Sequence, residues 1–139
     1  MRASHNMIKF FAGLLGLSGV ALGAFGAHVL KPALVARGTA DVWEKAVIYH
    51  LIHAVAVLAM AMVLPRERTA TVSCPRPWLA RAASCWTAGV VFFSGSLYGL
   101  ALGGPRWLGP VTPLGGLLFL LGWSFVVIDS LCANAGEKN

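Results

Sequence analysis

His50 and His53 lie three residues apart in an otherwise apolar and aromatic stretch, Trp43-Glu44-Lys45-Ala46-Val47-Ile48-Tyr49-His50-Leu51-Ile52-His53. Imidazole bonds through both ring nitrogens, moves protons near neutral pH and ligates metals. Hydrocarbon-embedded segments seldom carry ionisable groups without a use for them. At about 100° per residue, Trp43, Ala46, His50, His53 and Val57 share one helical face, with Tyr49 at its edge. Further polar groups stand at comparable depth elsewhere in the chain: His28, Ser94, Ser96, Tyr98 and Thr112.

Four chemistries suit such a set. A small amphipathic ligand such as a quinone or a lipid could rest against Tyr49, His50, His53 and Tyr98, since pockets combine aromatic walls with a few polar groups. His28, His50 and His53 could ligate haem, copper or zinc, metals that accept imidazole. The same groups could serve only as hydrogen-bonding struts between helices, in an accessory subunit of a larger membrane complex. A carrier or proton path is disfavoured by the scarcity of acidic groups inside the apolar segments. Glu44 points about 120° from His50 and makes a poor fellow ligand. Asp41-Val42-Trp43-Glu44 instead fits a capping box, with Asp41 accepting from free backbone N–H groups and Glu44 reaching back. Gly-x-Ser-x-Gly, Walker, Gly-x-Gly-x-x-Gly and His-Glu-x-x-His patterns are absent, which disfavours an enzyme.

The elements that must position these groups follow from composition. The 139 residues are 58% hydrophobic and 12% charged, against about 25% charged in soluble domains. Four apolar runs near the spanning length of roughly 20 residues account for the excess. The expected fold is all-α: a polytopic membrane protein, one four-transmembrane-helix bundle over 1–139, with helices at about 7–30, 42–64, 82–102 and 113–131. A soluble chain of this size could not hide so many apolar faces.

In the first run, Ala24-Phe25-Gly26-Ala27 resembles a signal-peptidase site. The run is long for a signal peptide and is read as a retained helix. Its Ala12, Gly16, Gly19, Gly23 and Ala27 fall on one face, a small-residue ridge that lets another helix approach. That ridge predicts a central position in the bundle. Residues 31–40 read as a short connection, and Pro65 stops the second helix. Gly95 and Gly99 read as packing residues. Thr112 should cap the fourth helix, with Pro113 in its first turn. Behind them, Gly115 and Gly116 serve either packing or backbone exposure to a ligand. Asp129 should reach the inner interface or pair with Arg81 or Arg66.

Orientation follows from counting cations. Arg2, Lys9, Arg66, Arg68, Arg76, Arg81 and Lys138 flank the runs on the side holding both termini, against Lys31, Arg37, Lys45 and Arg106 on the other. The positive-inside rule places both termini in the cytoplasm. The net charge of +6 is thereby explained without nucleic acid, because no soluble basic stripe with interleaved aromatics exists. Cys74, Cys85 and Cys132 then face a reducing compartment. Their odd number and the lack of Cys-x-x-Cys argue against a disulfide framework.

Several blocks carry a family resemblance: Leu22-Gly23-Ala24-Phe25-Gly26-Ala27-His28, then Trp43 through Ala54, then Phe93-Ser94-Gly95-Ser96-Leu97-Tyr98, and Thr112-Pro113-Leu114-Gly115-Gly116. Together they resemble the domain of unknown function 423 family, the transmembrane protein 256-like proteins. The blocks cover about a third of the residues, in family order. The resemblance implies a small four-helix protein of the bacterial or mitochondrial inner membrane, in contact with lipid. It supplies no activity, and leaves association with a larger complex or with further copies open.

Overall fold

The computed structural model describes residues 2–64 and 77–136, with side chains placed over 6–64 and 77–132. Every regular element among them is helical: α1 (Arg2–Ala27), α2 (Lys31–Arg37), α3 (Ala40–Val63), α4 (Pro77–Gly89), a π-helical segment (Val90–Ser94), α5 (Gly95–Ala101) and α6 (Leu108–Gly136). Asn6–Ala27, Ala40–Val63 and Leu108–Cys132 are each long and apolar enough to cross a membrane. The π segment follows α4 and leads into α5 without a break, Gly89 and Gly95 keeping right-handed helical backbone at both junctions.

The third apolar run is therefore not one regular helix over 82–102. It is already helical at Pro77 and widens to i→i+5 bonding at Val90–Ser94. Here α6 comes closest: a Cβ added at Gly115 would strike the backbone N and Cα of Phe93. Glycine at that position lets two backbones touch, and Gly116 meets only the Phe93 ring. Gly99 lies against the Leu108 side chain, whereas Gly95 is exposed and a Cβ added there would meet nothing within 4 Å.

The centre of the molecule is α3, which packs against α1, α2, α4, the π segment and α5. Helix α1 is not central. It lies along α3 and leaves Phe10, Leu14, Leu17 and Val20 exposed. Three glycines set the α1–α3 contact: Gly19 against Leu51 and His50, Gly23 against Val47, and Gly26 against the Trp43 indole. Gly16, expected in this ridge, has no such neighbour within 4 Å.

The connection at 31–40 contains α2, closed by Gly38 in left-handed conformation (φ 66°). Its Leu34 is buried with Trp43, Ala46, Tyr98 and Ala101 in one of two apolar clusters. The capping expectation fails here. The N-cap of α3 is Thr39, without a side-chain capping bond, and Asp41 and Glu44 both lie inside the helix and are exposed. The Thr39 hydroxyl instead donates to the Ala101 carbonyl at 2.8 Å, tying the start of α3 to the end of α5. Helix α6 likewise begins before the expected cap, at Leu108, so Thr112 and Pro113 are internal. Asp129 is buried, and Arg81 stacks over Trp78, 4.7 Å from its ring centre. Cys74, Arg66, Arg68 and Arg76 lie outside the described residues.

Candidate functional site: a polar girdle behind a cleft

His50 is buried between α1 and α5. Its Nδ1 lies 3.3 Å from the Tyr98 hydroxyl, and its Nε2 lies 3.4 Å from Ser18 Oγ. Ser18 Oγ also stands 2.7 Å from the Leu14 carbonyl, which can only accept. One proton arrangement satisfies the whole chain: Tyr98 O–H donates to Nδ1, Nε2–H donates to Ser18, and Ser18 O–H donates to Leu14. The tautomer is assigned from this network. Both polar nitrogens of a buried imidazole are thus paired, across three helices.

The Tyr98 ring lies 4.7 Å from that of Trp43, whose indole N–H donates to the Leu22 carbonyl at 3.1 Å. Residues of α1, α3 and α5 therefore form a closed girdle running Ser18, His50, Tyr98, Trp43, Leu22. A second link joins α5 to α6, where the Ser96 and Thr112 hydroxyls are 2.7 Å apart. Ser96 Oγ is also 2.9 Å from the Phe93 carbonyl. Thr112 acts in this link and not as a cap.

His53 shares the wheel face of His50 and is equally buried, yet its neighbours differ. Its ring stacks on Phe119 of α6 at 3.6 Å and 10°, with Trp86 and Trp123 about the edges. Nδ1–H donates to the Tyr49 carbonyl at 2.8 Å. Nε2 is left as a buried acceptor with no hydrogen-bond partner among the described residues, as are Trp86 Nε1 and Ser94 Oγ as polar groups. Tyr49 is 41% exposed, packed on Phe93 at 4.7 Å, away from the girdle. His28 is exposed in the turn after α1. The trio His28, His50 and His53 does not converge, and no group of three His, Cys, Asp or Glu among the described residues is placed to hold a metal ion.

Open space lies on the other side of Trp43. A cleft of about 400 Å³ opens between α1, α2 and α3, lined by Gly23, Lys31, Val35, Trp43, Glu44 and Ile48 among others. That volume falls in the range of small-molecule sites. Sequence reasoning included Trp43 and missed the cleft, because α2 forms its outer wall. It also missed Ser18, although a hydroxyl beside the glycine ridge was a readable signal for a partner on the facing helix.

The model of the family described as "Protein of unknown function (DUF423)" matches residues 22–116, which hold the cleft and all of the girdle except Ser18. The chain belongs to this family. Among its relatives, the UPF0382 membrane protein SSP2132 of Staphylococcus saprophyticus is 41% identical over 119 residues, 84% of this chain and 90% of the relative. The UPF0382 inner membrane protein YgdD of Escherichia coli K12 is 36% identical over 128 residues, 92% of each chain. No solved structure matches. With three apolar helices of spanning length and relatives so named, the chain is a small multi-pass protein of the bacterial inner membrane, in contact with the lipid bilayer.

Proposed function

We propose that this DUF423 protein is a non-catalytic accessory protein that binds a small amphipathic molecule in the cleft between α1, α2 and α3. The observation that carries the reading is the composition of that cleft. Its walls are apolar (Gly23, Val35, Val47, Ile48), and Lys31 and Glu44 supply charge. The girdle supports the reading from behind: Trp43 is both a wall of the cleft and the neighbour of Tyr98, so His50 and Tyr98 hold the wall in place rather than touch a ligand.

The chain is read as four spans. The helical path over 77–101 is 25 residues long, about 37 Å at ~1.5 Å per residue, against a hydrocarbon core of ~30 Å. With both termini cytoplasmic, as the cation count argues, the cleft lies on the outer side. A diazirine-bearing acyl lipid tests the site in nanodiscs. Its crosslinks should gather on Val35, Val47 and Ile48, and should disappear from them in Ile48→Trp. Crosslinks spread evenly around the bundle would sink the reading.

A further inference from the structure

Two charges of opposite sign line the cleft, Lys31 at the start of α2 and Glu44 in the second turn of α3. Both are exposed and form no ion pair with each other. A cation and an anion that share a cleft without touching present two separate binding points. The apolar lining extends from them along the helices. Ile48 stands four residues, about 6 Å, deeper than Glu44, and Gly23 of α1 lies against its neighbour Val47. Another groove, about 490 Å³ between α1 and α4, is lined by residues such as Met7, Phe11, Ala83 and Val91 and has no charged residue. Charge therefore distinguishes the outer cleft from an ordinary lipid-facing furrow.

We propose that the cleft binds a phospholipid whose head carries both a phosphate and an ammonium group. The phosphate faces Lys31, the ammonium faces Glu44, and one acyl chain runs along Val47 and Ile48. An anionic lipid would satisfy Lys31 and set its charge against Glu44. A free head group would leave the apolar part of the cleft uncovered. The level of the charges fits a head group, because both stand at the ends of helices whose interiors are apolar, where polar head and hydrocarbon meet. Trp43, beside Glu44, is of the residue type that favours this level. The inference rests on the reading of the cleft as a ligand site.

The test is native mass spectrometry of the whole protein released from nanodiscs of equal phosphatidylethanolamine and phosphatidylglycerol. Wild type should retain phosphatidylethanolamine over phosphatidylglycerol by roughly three- to fivefold, the preference one exposed ion pair supplies. Glu44→Gln should abolish that preference while lipid is still retained. Lys31→Gln should lower retention of both lipids. Ile48→Trp or Val35→Trp should remove both adducts, either variant serving if the other fails to fold. Millimolar glycerophosphoethanolamine, the head without chains, should not displace the lipid. Equal retention of the two lipids by wild type, lost in the tryptophan variants, would overturn the head-group assignment and leave the cleft. Adducts indifferent to both tryptophan variants would overturn the cleft itself.

Discussion

The Tyr98 hydroxyl and His50 Nδ1 meet 3.3 Å apart in the interior, joining α5 to α3. Each is the other's polar partner, and the opposite nitrogen of His50 is turned to Ser18. Tyr98→Phe removes the donor and leaves a buried acceptor unpaired, at a cost of about 1–2 kcal/mol. His50→Leu loses both links. Thermal unfolding in detergent should rank both variants below wild type, with a double-variant coupling of about 0.5–1.5 kcal/mol. Additive effects of the two changes would show that the pair is not a bond.

His53 should behave differently despite the shared face. Its Nε2 has no partner among the described residues and its ring lies flat on Phe119. His53→Phe keeps an aromatic ring in the stack and removes the unpaired acceptor, an exchange that is close to neutral when the shape is retained. Stability should change by less than about 1 kcal/mol, whereas His50→Phe should be clearly destabilising. Equal losses at the two positions would contradict the division between them.

The α1–α3 contact offers a glycine comparison. A Cβ at Gly26 would collide with the Trp43 indole, while one at Gly16 meets nothing within 4 Å. Gly26→Ala should cost about 1–3 kcal/mol through overpacking. Gly16→Ala should be neutral or gain up to about 1 kcal/mol from helix propensity. The same unfolding measurement decides, and a Gly26→Ala protein as stable as wild type would mean that α1 sits further from α3.

The polar side-chain link between α5 and α6 among the described residues is one hydroxyl pair. Thr112→Val preserves the shape and removes one side of the 2.7 Å contact with Ser96. Interhelical bonds of this kind average ~0.6 kcal/mol in membranes, so the unfolding temperature should fall slightly. Ser96→Ala should add little on the Thr112→Val background. A full second loss there would assign Ser96 a different partner.

The four-span reading has its own check. A cysteine placed at Gly38 should react with a membrane-impermeant maleimide added to intact cells, and a fluorescent protein fused at the C-terminus should fold in the cytoplasm. A Gly38→Cys protein that reacts only after lysis would reverse the orientation.

Local information was enough for three of the apolar spans, the family and the burial of His50, because hydropathy and helical period belong to each segment by itself. Placing Tyr98 and Trp43 near His50 needed only the depth of each residue along its own helix. The division between His50 and His53 was not legible in this way. Three residues amount to about 60° of rotation and 4.5 Å of rise, enough to give one ring to α1 and α5 and the other to α6.

What tertiary contact decided is the rest. Thr39 displaced Asp41 as the N-cap, and its hydroxyl bonds an acceptor 62 residues away, the Ala101 carbonyl. The π segment stands where the Phe93 backbone meets Gly115, a glycine on another helix. Helix α2 has seven residues, too few to stand alone, and holds by burying Leu34 with Trp43 and Tyr98. The cleft exists only because that short helix folds back beside α3. The amino-acid order determined which segments enter the membrane, since transfer free energy sums residue by residue along the chain. The tertiary structure decided which polar groups pair and where space remains, since both depend on atoms brought together from distant segments.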